Sequence, residues 1–112
     1  WYRGGIVAYH KEVKHSLLRV PDGPVVCEIW AATMARTTSE LLGADLVVAL
    51  TGEAGPQTQD DEPPGTVGVA VDDRGMVSTE RKQFDGDPED VQAQTLSLAI
   101  DSLLRHARQR AA

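Results

Sequence analysis

Residues 45–50, with the sequence DLVVAL, restrict the fold of this chain more than any other segment. An apolar run of strand length without alternating polar residues is typical of a strand that is buried on both faces. A second segment, residues 66–71, alternates valine with small residues and predicts a neighbouring strand. Because a sheet buried on both sides needs covering layers, we expect helices on both of its faces.

Two segments have the pattern of such helices. Residues 26–42 place apolar side chains on one helical face, and Gly43 follows, a residue type that commonly ends helices. Near the C-terminus, Asp87 predicts an N-cap and Pro88 the first helical position. Apolar residues then recur every three to four positions, so the last helix is the most firmly patterned element of the sequence.

The remaining segments complete the order of elements. Residues 3–9 predict a short buried first strand, residues 10–18 a short helix, residues 72–75 a hairpin turn and residues 76–84 a more exposed strand. The order is strand, short helix, helix, three strands and helix. It predicts an α/β fold, a three-layer α/β/α domain with a mixed sheet, formed by residues 1–112 as a single domain.

Composition excludes several classes of protein. The 112 residues carry a formal net charge of −6, which is the opposite of the basic surface that nucleic-acid binding requires. No apolar run reaches the roughly 20 residues that span a bilayer, so we expect neither nucleic acid nor a membrane as partner. Cys27 is the single cysteine, which excludes an internal disulfide and a multi-cysteine zinc site. We expect a reducing, cytoplasmic compartment and no metal or cofactor.

Tyr9 and Lys14 are the first candidates for chemistry. They follow the predicted first strand, and ligands of α/β proteins commonly bind where strands end. A lysine can act as a base when desolvation favours its uncharged form. The alternative is a solvated lysine on a polar helix, and spacing alone leaves both open.

The segment after the most apolar strand, TGEAGP at residues 51–56, is the second candidate. Glycines allow a close approach of backbone to ligand, and consecutive N–H groups can hold an anion. An ordinary turn would have the same composition, and the segment matches neither a P-loop nor a dinucleotide fingerprint. The acidic residues 60–62 fit a solvated loop, with a carboxylate metal site as the alternative.

Five segments in one order carry a family resemblance. They are RGGIVAYHKEVK at residues 3–14, the helix and its exit at 26–45, LTGEAGP at 50–56, PPGTVGVAV at 63–71 and FDGDPEDV at 84–91. Together they resemble the CinA C-terminal domain, also called the nicotinamide-nucleotide amidase family. The matches cover nearly the whole chain, and their combination is far more specific than any one of them.

The resemblance implies an amidohydrolase that converts nicotinamide mononucleotide to nicotinate mononucleotide and ammonia in pyridine-nucleotide salvage. It implies a serine nucleophile in an E-S-x-T-G-G segment upstream of the R-G-G strand. Lys14 would be the general base and Tyr9 would support the proton relay. The positions that match the family's substrate pocket loop are Thr51, Gly52, Ala54 and Gly55. Its amides would hold either the oxyanion or the substrate phosphate, and the sequence does not choose between them.

The chain also departs from the family pattern. The 112 residues contain no E-S-x-T-G-G segment, so we expect an N-terminally incomplete domain that exposes apolar surface and forms a homo-oligomer. The family's arginine after G-D is Pro88, and residues 57–62 are acidic where the family is glycine-rich. These departures support an alternative: a catalytically inactive CinA-like module that binds a nucleotide or another protein.

Overall fold

The computed structural model describes residues 1–8, 12–19, 27–52, 63 and 65–111. In chain order it contains a π-helical turn at Val13–Leu17, helix α1 at Cys27–Leu42, strands β1 at Leu46–Gly52, β2 at Thr66–Asp73 and β3 at Met76–Gln83, and helix α2 at Pro88–Ala111. Among these residues, no helix combines the length and the apolar content needed to cross a lipid bilayer.

The three strands form one antiparallel sheet in the order β1-β2-β3. The main chain of Ala49 pairs with Ala70, which in turn pairs with Thr79. Helix α1 packs across all three strands, and α2 packs on β1 and β2. The α/β class is therefore confirmed.

The first face of the sheet is closed by α1 with small side chains. Its buried residues are Leu18, Ala31, Met34, Ala35, Val47, Ala49 and Ala70. Ala31, Ala35 and Ala70 are 0% exposed, so the helix backbone lies close to the sheet with no room for a larger side chain. Val13 of the π-helical turn packs at the edge of this layer.

The second face of the sheet is covered by α2. Val67, Val69 and Val91 are buried there, with Val48 and Leu50 of β1 packed around them. Because Val47 and Ala49 face α1, β1 is covered on both sides, as its apolar run predicts. The arrangement is three-layered, with α1 and α2 on opposite faces.

The sheet differs from the expected mixed sheet at its first strand. Residues 1–8 contribute no strand to the described ladder, which is antiparallel throughout. Ile6 and Ala8 pack against the α1 layer, whereas Val7 is 86% exposed. Alternating burial in residues 6–8 fits a strand pattern, but a strand forms only when a neighbour supplies hydrogen bonds, and no described strand does so.

The turns form as predicted. Gly43, with φ +62°, ends α1, and the Ala44 N–H donates to the Ser39 carbonyl at 3.2 Å, the wide bond of a Schellman motif. In the β2–β3 hairpin, Arg74 and Gly75 both have positive φ, as in a type I′ turn. The Gly75 N–H donates to Oδ1 of the buried Asp72 at 2.9 Å.

One side-chain pair fixes α2 to this hairpin. Nδ1 of His106 lies 2.9 Å from Oδ2 of Asp73, and both side chains are mostly buried. The Arg74 N–H donates to the Asp45 carbonyl at 2.8 Å, which joins the hairpin to the start of β1. We call this side of the molecule the hairpin end; it comprises Asp45, Asp73, Arg74, Gly75 and His106.

Candidate functional site

Three strand ends meet on the side of the sheet opposite the hairpin end. Because the strands are antiparallel, the last residues of β1 lie beside the first residues of β2 and the last residues of β3. Gly52 pairs with Val67, and Thr66 pairs with Gln83. We call this side the motif end and define it by Thr51, Gly52, Gly65, Thr66 and Phe84, since parts of three of the family-like segments lie here.

Glycines allow these strand ends to approach closely. Gly65 has φ +85°, and a Cβ placed on it would lie 2.1 Å from the Phe84 carbonyl oxygen. The Phe84 N–H donates to the Gly65 carbonyl at 2.9 Å, so the two backbones are in direct contact. A Cβ on Gly52 would lie 2.9 Å from the Thr66 carbonyl oxygen. Backbone packing alone therefore requires glycine at both positions.

Thr66 anchors the motif end through its hydroxyl. The residue is 0% exposed, and its Oγ1 lies 2.7 Å from the Pro63 carbonyl oxygen, to which it donates. Oε1 of Gln83 lies 2.8 Å from the same hydroxyl. The Thr66 N–H also donates to the Pro63 carbonyl at 3.1 Å. This network orders the entry to β2, and nothing in the sequence distinguished Gln83 as part of it.

Helix α2 begins at this same end. The Asp90 N–H donates to Oδ1 of Asp87 at 2.9 Å, and the Asp87 N–H donates to Oδ2 of Asp90 at 3.1 Å. This reciprocal pair is a capping box with Pro88 at the first helical position, which confirms the predicted helix start. The position that carries the family's arginine is thus used here to begin the helix.

Helix α1 also directs its N-terminus towards this end. A connection of three residues, 43–45, links α1 to β1, and the two elements pack together, so they run antiparallel. With 16 residues at about 1.5 Å each, α1 matches the length of β1, with 7 residues at about 3.3 Å each. The start of α1 is therefore directed towards the end of β1, on the first face of the sheet.

The π-helical turn lies against the first turns of α1. The rings of His15 and Trp30 meet edge-to-face, with their centroids 5.7 Å apart. Thr51 is 8% exposed and follows Val47 and Ala49 in the alternation of β1, so its side chain lies on the face that α1 covers. The turn that carries Lys14 thus lies on the face that α1 covers, with His15 beside Trp30, and Arg19, two residues after the turn, lies 2.8 Å from Glu40 near the other end of α1.

The structure places the six predicted site residues unequally. Thr51 is buried and Gly52 is exposed at the end of β1. Lys14 lies within the π-helical turn Val13–Leu17, and its side chain lies outside the description. Tyr9, Ala54 and Gly55 lie outside the described residues. The roles of these residues therefore stay predictions. Residues 57–62 also lie outside the described residues, so the effect of their acidic side chains on the site stays a prediction as well.

The electrostatics of the motif end combine two opposing features. The N-termini of α1 and α2 both lie here, and each presents the positive end of a helix dipole, which favours an anion. Acidic side chains accompany them, with Glu28 in the first turn of α1 and Glu89 and Asp90 in that of α2. Oε1 of Glu28 is shielded from solvent and has no hydrogen-bond partner within the described residues.

The sequence indicates no role for Glu28, although this residue lies in a family-like segment. Its carboxylate, shielded near the start of α1, needs a donor for its oxygen. Elsewhere in the described part of the chain, no group of three His, Cys, Asp or Glu side chains is arranged to hold a metal ion.

Similarity to known proteins agrees with this three-layer α/β domain. The profile of the CinA C-terminal domain matches residues 1–107, and the chain belongs to that family. Nicotinamide-nucleotide amidohydrolase PncC of Pseudomonas putida is 39% identical over 112 residues, which cover 94% of this chain and 69% of that protein. A CinA-like protein of Geobacter sulfurreducens is 38% identical over 90% of this chain. The chain spans only 26% of the length of that relative.

Solved structures agree with the fold. The crystal structure of a competence-damaged protein (CinA) superfamily protein from Klebsiella pneumoniae superposes with a TM-score of 0.84 at 33% identity. The match covers 93% of this chain and 69% of that one. The three-layer arrangement therefore belongs to the family as well as to this sequence.

Proposed function

We propose that this chain is part of a nicotinamide-nucleotide amidohydrolase, which deamidates nicotinamide mononucleotide to nicotinate mononucleotide and ammonia in pyridine-nucleotide salvage. The proposal is supported by the 39% identity to a protein that carries the amidohydrolase name. The cytoplasm, where such nucleotides are recycled, is the expected compartment. The expected partners are a pyridine nucleotide and further copies of the chain, without nucleic acid or membrane.

One structural observation carries the proposal: the family-like segments converge on the motif end. The end of β1, the start of β2 and the end of β3 meet there, and three of the five family-like segments contribute residues to it. The N-terminus of a helix favours an anion such as a phosphate over a cation. A phosphate-bearing ligand is supported by the two helix N-termini directed towards this end, and the pyridine ring and amide are taken from the relative's name.

The proposed chemistry is acyl transfer to a serine and then to water. The serine hydroxyl attacks the carboxamide carbon, and Lys14, in its uncharged form, accepts the hydroxyl proton. That proton passes to the leaving nitrogen, which departs as ammonia, and water then cleaves the ester to release the carboxylate and restore the hydroxyl. Tyr9 supports the relay, and the segment that begins at Thr51 binds the nucleotide. The resemblance assigns the serine to an E-S-x-T-G-G segment, which the 112 residues do not include.

A specific observation favours the alternative, a module that binds without turnover. Pro88 occupies the position of the family's arginine and serves as the first residue of α2, behind the Asp87–Asp90 capping box. That position therefore supplies no cation to a ligand. Acidic residues in the first turns of both helices, Glu28 in α1 and Glu89 and Asp90 in α2, offset the positive ends of the helix dipoles and so weaken the attraction of a phosphate.

The deciding experiment measures binding and turnover separately on the intact protein that contains this chain, because the serine that the resemblance implies is not among the 112 residues. Calorimetry with nicotinamide mononucleotide reports binding, and chromatography of nicotinate mononucleotide together with an ammonia assay reports turnover. Binding with equal amounts of both products supports the amidohydrolase. Binding without either product supports the binding module, and the absence of both binding and products overturns the proposal.

A pair of basic-residue variants sharpens this test. Lys14→Ala is expected to lower turnover by at least about 100-fold while binding stays within a few-fold, as for loss of a general base. Arg36→Ala is the control, because Arg36 is an exposed basic side chain in the middle of α1, away from the motif end. Equal activity of the two variants would remove Lys14 from the mechanism.

A further inference from the structure

Helix α2 presents an apolar stripe on the side that faces away from the sheet. Leu96, Ile100 and Leu104 are 59%, 48% and 44% exposed, and Ala93 and Ala107 continue the same line at helical spacing. The opposite side of the helix is buried against the sheet through Val91, Ala99 and Ser102. The helix is thus apolar on two faces, one of which has no cover in the described part of the chain.

The stripe is symmetrical about its centre. Counted from Ile100, leucines stand four residues away in both directions, and alanines stand seven residues away in both directions. A two-fold axis through Ile100 therefore brings each Leu96 against a Leu104 of a second copy, and each Ala93 against an Ala107. Such self-complementarity is what an isologous interface requires, because the same surface must fit itself.

The charges at the two ends of α2 are complementary in the same orientation. Glu89 and Asp90 lie in its first turn, whereas Arg105 and Arg108 lie near its other end, exposed to solvent. In an antiparallel pair, the acidic first turn of one helix lies beside the basic last turns of the other. A parallel pair would place like charges side by side, so the charges select the antiparallel arrangement.

We propose that α2 pairs with α2 of a second copy of this chain, antiparallel and around a two-fold axis through Ile100. Leu96, Ile100 and Leu104 form the centre of the contact, and the charged ends set its orientation. Pro88 begins α2 12 residues before the axis, so the two helix N-termini, and with them the two motif ends, lie about 36 Å apart along the pair. This interface does not depend on the proposed function.

Cysteine cross-linking on the full chain tests the arrangement. In a Cys27→Ser background, Ile100→Cys is expected to form a disulfide-linked dimer under mild oxidation, because the two positions meet on the axis. Leu96→Cys mixed with Leu104→Cys should cross-link equally well. Neither of these two variants should cross-link with itself, since equivalent positions lie about 12 Å apart along the axis, beyond the roughly 7 Å that a disulfide spans.

A solution measurement covers the case in which oxidation is slow. Sedimentation velocity is expected to show a dimer for the unmodified chain and at least a 10-fold weaker association for Ile100→Asp. Leu41→Asp is the control, because Leu41 is 44% exposed on α1, which covers the opposite face of the sheet, and its substitution should leave the dimer intact. A monomeric chain would overturn the proposal, and so would self-linking of Leu96→Cys in preference to Ile100→Cys. The proposal would also be overturned if another segment or another protein covered the apolar stripe of α2.

Discussion

The two ends of the sheet use glycine for different reasons. At the hairpin end, Gly75 has φ +88°, and a Cβ on it would meet nothing within 4 Å. At the motif end, Gly65 has a similar φ of +85°, but a Cβ there would collide with the Phe84 backbone. Gly75 is required by the turn alone, whereas Gly65 is required both by its positive φ and by the close packing of the strand ends.

A glycine in a family motif can therefore be required by backbone packing, without any contact to a ligand. The family-like segments contain Gly52 and Gly65, and both are explained by packing before any ligand is considered. A ligand at the motif end is supported instead by the helix N-termini directed towards this end and by the buried Thr51. The hairpin end contains turn hydrogen bonds and the Asp73–His106 pair. Their contribution to the stability of the fold explains these contacts without a ligand.

The largest expected effect belongs to Gly65. Gly65→Ala is expected to lower the free energy of unfolding by about 4 kcal/mol, because it adds overpacking to a left-handed backbone. Gly75→Ala, with the same backbone requirement and open space, should lose about 1.5 kcal/mol. Urea denaturation measures both. Equal losses would mean that the two ends do not differ in packing.

Gly52→Ala should have the next largest effect. Its Cβ would lie 2.9 Å from the Thr66 carbonyl oxygen and 3.1 Å from a methyl group of Val67. We expect a loss of about 2 kcal/mol in the free energy of unfolding, from overpacking alone. A loss below about 0.5 kcal/mol in urea denaturation would show that the strand ends yield easily, which would weaken the packing explanation for this glycine.

The capping box at the start of α2 contributes less. Asp87→Ala removes the acceptor for the Asp90 N–H and should cost about 1 kcal/mol. Glu89→Ala, in the same first turn, is the control and should cost about 0.3 kcal/mol through the helix dipole alone. Thermal unfolding of the two variants compares these values, and equal values would argue against the reciprocal cap.

The smallest effect is expected at the hairpin end. A double-mutant cycle with Asp73→Asn and His106→Gln should give a coupling energy of about 0.5 kcal/mol, because both side chains retain some contact with solvent. Unfolding in urea of the wild type and the three variants provides the cycle. A coupling above about 2 kcal/mol would make this pair a major anchor of α2, contrary to its partly exposed setting.

The sequence predicted most of the fold because each element carried its own local signal. The apolar run of β1, the Arg74–Gly75 turn, the glycine after α1 and the Asp87–Pro88 start of α2 each act over a few residues. The first strand was different. Residues 3–9 have the composition of a strand, but strand formation depends on a hydrogen-bonding neighbour, which local sequence does not specify.

The site was predictable only in part, for a related reason. Gly52 at the end of β1 and Phe84 before α2 are far apart in sequence, and only the antiparallel register brings them to one end. The hydrogen-bond partner of Thr66, Gln83, carries no signal of its own, because an exposed strand favours many polar residues equally. Residue-level reasoning identified candidate groups, and the topology shows which of them can act together.

The proposed nucleotide site can be located by titration with nicotinamide mononucleotide, followed through the amide chemical shifts of the full chain. Saturable shifts are expected for Thr51, Gly52, Gly65 and Thr66, at the motif end, with Arg74, Gly75 and His106 unchanged. Shifts confined to the hairpin end, or none at millimolar nucleotide, would contradict the assignment of the motif end as the nucleotide site.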